Sequence, residues 1–185
     1  MPVKTIFWEG GQDGHVHMIE QTLLPERHEV LEVRSVPAMV DAIRRLAVRG
    51  APAIGVAASF GVVLGTQGPA GRSADAVLAA ARAAADELAT SRPTAVNLFW
   101  ALDRMRERAQ RDHAAGLDGD GILAGLFEES QTVHRQDREI CRKIGEIGAR
   151  LIRDGQTVLT HCNAGGLATA DYGTALAPIY VASEA

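Results

Sequence analysis

The hydrophobic positions change period along the chain. Residues 4–7 (KTIF), 15–19 (HVHMI) and 30–34 (VLEVR) are short, partly alternating and β-rich, the period-2 pattern of half-buried strands. Gly10-Gly11-Gln12-Asp13-Gly14 separates the first two and predicts a hairpin, with the third strand placed to join it. Pro37 then sits in a first helical turn, and Met39, Ile43 and Leu46 follow at i, i+4 and i+7, so an amphipathic helix is expected to end near Gly50. After Gly50-Ala51-Pro52 comes an almost uncharged helix to about Thr66, apolar on most faces and therefore buried among others.

The pattern predicts three further helices. Ser73–Thr90 is alanine-rich and suited to packing alone. Pro93–His113 buries Val96, Phe99 and Leu102, with Trp100 a further candidate, and turns to solvent through Arg104, Arg106, Glu107 and Arg108. A long helix from about Ile122 to Arg153 carries an apolar stripe of Ile140, Ile144, Ile147 and Leu151, and Cys141 beside that stripe reads as inert packing. His134, among Arg135, Asp137 and Arg138, reads as part of a solvated face. Asp154-Gly155 closes the helix, and the pattern becomes strand-like at Thr157–Thr160. The chain then turns through His161-Cys162-Asn163-Ala164-Gly165-Gly166 and is helix-like from Leu167. A strand that turns through glycine into a helix is where α/β proteins hold small ligands. One strand and one helix cannot make a doubly wound sheet, so this unit needs further strands.

Composition narrows the class. The 185 residues are 46% hydrophobic and 23% charged, which describes a globular chain. A net charge of −4 offers no basic footprint for nucleic acid. No signal-peptide core or membrane-length apolar run is present. Two cysteines make no disulfide framework, so a cytoplasmic location is expected.

The chemistry collects at a few positions. Cys162, after a strand and before a helix, stands where a thiol is activated as nucleophile or proton carrier. Arg49 precedes the buried helix, where a guanidinium and free N–H groups would hold a phosphate; it could equally pair with a carboxylate at the end of the preceding helix. Arg92 repeats the arrangement before the Pro93 helix. Asn97 on an apolar face reads as a core amide bonded to backbone, with ligand contact as the alternative. Adjacent His161 and Cys162 lack zinc spacing, and neither G-x-G-x-x-G nor a P-loop occurs. His15, His17 and His28 permit a metal site but read first as surface strand histidines.

Three blocks go further. Val48-Arg49-Gly50-Ala51-Pro52-Ala53-Ile54-Gly55, Ser91-Arg92-Pro93-Thr94-Ala95-Val96-Asn97-Leu98 and Leu159-Thr160-His161-Cys162-Asn163-Ala164-Gly165-Gly166-Leu167-Ala168-Thr169 resemble the signature blocks of the methylthioribose-1-phosphate isomerases, in the same order. That family is related to regulatory subunits of the translation-initiation nucleotide-exchange factor and to ribose-1,5-bisphosphate isomerases. The resemblance implies an aldose–ketose isomerase that converts 5-methylthioribose 1-phosphate to 5-methylthioribulose 1-phosphate in methionine salvage. No metal or organic cofactor is implied, and the partners would be a sugar phosphate and a second copy in a homodimer. It implies an α/β fold in three parts. Residues 1–120 would hold a small antiparallel sheet and helical bundle, 121–154 a connecting helix, and 155–185 the first strand–helix unit of a Rossmann-like domain. By motif match, Arg49, Gly50, Ala51 and Arg92 would bind substrate and Cys162 would be the catalytic thiol.

Family members are about twice as long, and their catalytic aspartate, a substrate-binding glutamine and an Asn-Lys pair have no counterpart here. The 185 residues are therefore expected to be a fragment, inactive alone. A non-catalytic regulatory subunit and a ribose-1,5-bisphosphate isomerase are the alternatives; Cys162 and the RGAPAIG block point away from the first, the RPTAVNLFWA block from the second.

Overall fold

The structure is a computed structural model that describes residues 3–68 and 71–184. Strands β1 (Ile6–Glu9), β2 (His15–Ile19) and β3 (Val30–Val33) form one antiparallel sheet in that order. The register pairs Glu9 with His15, Phe7 with His17 and His17 with Glu32. Side chains alternate across a strand. Ile6, Val16, Met18 and Val33 therefore enter the core, and Phe7, Glu9, His15 and His17 share the outer face.

Among the described residues six α-helices follow: α1 (Val36–Arg44), α2 (Ala51–Thr66), α3 (Ala74–Ala89), α4 (Val96–Ala114), α5 (Gly119–Ala149) and α6 (Ala177–Glu184). The uncharged α2 is the centre, packed against α1, α3, α4, α5 and β1. Every residue from Ala53 to Leu64 is buried. Its polar side chains are satisfied internally: the Ser59 hydroxyl donates to the Val56 carbonyl at 2.8 Å and that of Thr66 to Val63 at 2.9 Å.

Several elements differ from their sequence pattern. Helix α1 stops at Arg44, and Leu46 takes a left-handed φ of 68° and is exposed. The Leu46 N–H bonds to the Ile43 carbonyl and that of Ala47 to Ala42, a Schellman stop with leucine in the place glycine usually takes. Helix α4 starts at Val96 because the Ala95 N–H closes a turn onto the Arg92 carbonyl and Ala95 is extended. Val96 is 78% exposed and Trp100 50%, so neither is core.

The face of α4 expected in solvent is instead an ionic seam with α5. Arg104 donates to Glu129, and Arg108 to Asp112, Glu128 and Glu129. Burial pushes the Glu129 carboxyl up, but Arg104 and then Arg108 outweigh it and hold the group below the usual carboxylate range. His134 is not solvated either. Its Nε2 lies 3.1 Å from the Ile6 carbonyl, its ring packs on Phe60, and burial first, then Arg138, pushes it below the usual imidazole range.

The C-terminal part departs furthest. Residues 157–160 form no strand and are exposed, since no strand among the described residues lies beside them to satisfy their backbone. The segment from Leu167 holds one 3-10 turn, Gly166–Ala168, before α6. The Ile140, Ile144, Ile147 and Leu151 stripe is exposed. Helix α6 packs instead on the neighbouring stripe of Cys141, Gly145 and Gly148. A Cβ on Gly145 would meet Val181 at 2.8 Å, and one on Gly148 would meet Pro178 at 2.5 Å. The small-residue stripe wins because it lets α6 approach closely. Cys141 is 1% exposed, and burial, aided by Asp137, pushes its thiol up to about 12.

Candidate functional site

Cys162 sits in an exposed turn with a left-handed φ of 66°. Such a conformation costs a non-glycine residue about 1–3 kcal/mol and persists where the surroundings impose it. The surroundings here are the buried segment Ala164–Gly173, folded on itself. The Thr174 N–H bonds to the Ala164 carbonyl at 2.9 Å and the Gly173 N–H to the Thr169 hydroxyl at 2.8 Å. With only a 3-10 turn behind it, Cys162 lacks the regular helix N-terminus expected to activate it.

Three elements anchor this loop. From the N-terminal stretch, the Thr5 hydroxyl donates to the Gly166 carbonyl at 2.7 Å, and the N–H groups of Val3 and Thr5 donate to Asp171 and Ala170. The Gln21 side-chain amide donates to the Leu167 carbonyl at 2.8 Å. From α5, the Asp137 carboxylate accepts from the Ala170 N–H at 2.6 Å, and Arg138 pairs with Asp171. Burial raises the Asp137 carboxyl above its usual range; the Ala170 N–H opposes this and Asp171 adds to it.

The anchored loop lies against the first block. A Cβ on Gly50 would stand 2.0 Å from the Ala168 carbonyl oxygen, so only glycine allows this approach. The second block meets the first one turn further along, where a Cβ on Gly55 would lie 3.2 Å from the Asn97 carbonyl oxygen. The structure thus brings together the segments that carry Arg49, Gly50, Ala51, Arg92 and Cys162, although no hydrogen bond joins the three functional side chains to one another. Neither Arg49 nor Arg92 is in a salt bridge among the described residues, which answers the alternative that Arg49 ends a helix on a carboxylate. Helices α1, α3 and α5 are capped by Ser35, Ser73 and Asp118, whereas α2 and α4 have no capping side chain and no acid in the first turn. That leaves Ala51 and Ala53 in α2, where Pro52 has no N–H, and Val96 and Asn97 in α4, where Leu98 already donates to the Ala95 carbonyl, with N–H groups free of a capping side chain for an anion.

Between α2, α4 and α5 lies a cleft of about 240 Å³ lined by Pro52, Val56, Asn97, Trp100, Asp137 and Ile140. Asn97 is half-buried at this cleft and its amide makes no hydrogen bond among the described residues, so it is not the satisfied core amide expected. A groove of about 600 Å³ between α3 and α4 shares no residue with these blocks. The loop anchors Thr5, Gln21 and Asp137 escape sequence reading. For Asp137 a signal was present: His134, Asp137 and Cys141 recur at i, i+3 and i+7, one face of α5.

Residues 47–184 match the initiation factor 2 subunit family, and the chain belongs to it. It is 50% identical over 184 residues to a methylthioribose-1-phosphate isomerase of Syntrophotalea carbinolica, covering 100% of this chain and 52% of that protein. Over 180 residues it is 49% identical to a 5-deoxyribose 1-phosphate isomerase of Moorella thermoacetica, covering 97% of this chain and 50% of the relative. Among solved structures, 5-methylthioribose 1-phosphate isomerase from Pyrococcus horikoshii matches with a TM-score of 0.88 at 34% identity, over 98% of this chain and 49% of that one. The translation initiation factor eIF-2B subunit delta from A. fulgidus matches with a TM-score of 0.86 at 41% identity, over 98% of this chain and 51% of that one. The chain therefore spans about half the length of the relatives it matches. No helix among the described residues is long and apolar enough to cross a membrane.

Proposed function

We propose that this chain supplies the phosphate-binding and thiol half of an aldose–ketose isomerase acting on 5-methylthioribose 1-phosphate, in methionine salvage. The observation that carries the reading is the uncapped helix α2 against the segment that follows Cys162 and, one turn on, against the uncapped α4, with Arg49 and Arg92 outside any ion pair among the described residues. The sugar 1-phosphate is a dianion, and guanidinium groups with free helix N–H groups are the matching donors.

The reaction is redox-neutral. C2 loses hydrogen and becomes a carbonyl, while C1 gains hydrogen and keeps its phosphate ester. Because that ester blocks opening to a free aldehyde, the ring must open with the phosphate held. Arg49, the Gly50-Ala51 backbone and Arg92 hold it, and Cys162 serves the hydrogen movement or the charge that develops with it. On this reading residues 1–120 form the N-terminal domain, 121–154 the connector, and 155–185 open the Rossmann-like catalytic domain, with the enzyme a cytoplasmic homodimer. Two free cysteines suit a reducing compartment. The likeness to an initiation-factor subunit favours a regulatory role as the second reading, against which stand the thiol and the phosphate donors.

The test uses phosphorus NMR of 5-methylthioribose 1-phosphate. The chain should broaden the substrate signal, and Arg49→Ala or Arg92→Ala should abolish the effect. Supplemented with the remaining half of the Syntrophotalea carbinolica isomerase, it should form the ketose, and Cys162→Ala should lower the rate about 100-fold or more. An undiminished rate with Cys162→Ala removes the thiol from the mechanism, and no substrate binding refutes the phosphate site.

A further inference from the structure

The outer face of the sheet holds a second constellation, separate from the Cys162 loop. His15 and His17 lie two apart on β2, and Glu9 is the β1 partner of His15. One ligand atom from each of the three falls within 4.8 Å of the others. The Glu9 carboxylate is 2.6 Å from His17 Nε2, yet the geometry makes no hydrogen bond, and that nitrogen is shielded from water without a partner. The His17 ring is held between Phe7, stacked at 5.1 Å and 8°, and His15, whose ring centroid is 4.6 Å away. The two imidazoles and the carboxylate are thus fixed by strand register and ring packing rather than by hydrogen bonds to one another.

We propose that Glu9, His15 and His17 bind a divalent transition-metal ion of the zinc class. Two neutral imidazoles and one carboxylate suit zinc-like ions, whereas magnesium and calcium prefer all-oxygen shells. A metal about 2.0–2.1 Å from each ligand atom places tetrahedral neighbours about 3.4 Å apart. The three ligand atoms, now within 4.8 Å of one another, must close to that spacing on binding. The opposing charge is Arg34, which lies 3.0 Å from His15 Nε2 and 2.8 Å from Glu32. Its side chain is 61% exposed, so it can leave His15 while keeping its pair with Glu32. His28 lies outside the cluster and takes no part. The ion would clip β1 to β2 beside the turn that joins them.

The experiment titrates the chelator-treated 185-residue chain with zinc chloride by calorimetry, and with cobalt(II) by visible absorption. One equivalent should bind, and His15→Ala, His17→Ala and Glu9→Gln should each weaken binding about tenfold or more. Arg34→Ala should bind at least as tightly, because it frees His15 Nε2. Thermal melts of the metal-free variants verify that each folds, and Glu9→Gln at an exposed site keeps the test open should a histidine variant unfold. The proposal is overturned if no saturable binding occurs. It is equally overturned if binding survives intact in the histidine variants, or if cobalt shows thiolate charge transfer, which would move the ion to His161 and Cys162.

Discussion

Replacing Gly50 by alanine adds one carbon at the point where α2 meets the thiol loop. Gly50 has φ −87° and ψ 144°, extended values any residue adopts, so backbone conformation contributes no penalty. Space does. The new Cβ would lie 2.0 Å from the Ala168 oxygen and 2.1 Å from its Cα, and ordinary contact begins at 3.4 Å, so the loop must retreat by about 1.4 Å. No flexible side chain is available to yield, because the opposing atoms are backbone. A retreat of that size breaks the Thr5–Gly166 and Gln21–Leu167 hydrogen bonds, now 2.7 and 2.8 Å, and strains the Asp137–Ala170 bond. At about 1 kcal/mol net for each lost bond, the expected cost is about 2–3 kcal/mol. For a chain of this size that lowers the melting midpoint by roughly 4–12 °C. Hydrogen exchange read by mass spectrometry should show faster exchange across 164–173, while α3 is unchanged. An alanine variant with wild-type melting and wild-type protection in that loop would refute the claim that Gly50 sets the approach.

Two further predictions concern carboxyl groups whose pH responses have opposite sign. Glu129 is depressed in the folded state, so it adds stability above the unfolded carboxylate range near about 4.3 and loses it as pH falls through the folded value. Glu129→Gln should therefore cost about 1–3 kcal/mol at pH 7, with the difference from wild type shrinking in acid; a pH-independent difference in urea midpoint would contradict this. Asp137 is raised, so its contribution is present below the unfolded value near about 3.9 and is lost as pH rises through the folded value. Asp137→Asn keeps an acceptor for the Ala170 N–H and removes the buried charge, so it should melt above wild type at pH 7 and match it near pH 4. A lower melting temperature at pH 7 would show that the carboxylate itself holds the loop.

How much was legible depended on whether a segment's partners were local. The hairpin, its joining third strand and the buried α2 could be read because alternation and an uncharged helix each admit one solution. Arg49, Gly50, Ala51, Arg92 and Cys162 could be picked out as blocks, and the structure brings those blocks side by side. What failed were inferences in which a periodic pattern stood in for a partner. Thr157–Thr160 has strand composition but no strand to pair with among the described residues. The isoleucine stripe of α5 has helical spacing, yet α6 chose the glycine face beside it. Charged runs on α4 and α5 read as solvated because composition does not say that Arg104, Arg108 and Glu129 face one another.

The bond between Thr5 and Gly166 spans 161 positions of sequence. Closing a loop of that length costs on the order of 4.5 kcal/mol from the logarithmic term alone, before any contact is returned. The helical core needs no such closure, since α2, α3 and α4 are neighbours in sequence and in space. Folding is therefore expected in two stages, with the bundle consolidating first and the thiol loop docking later. During synthesis the same geometry imposes an order: Val3 and Thr5 are made long before residues 166–171, and the loop that follows Cys162 can dock only once those residues arrive.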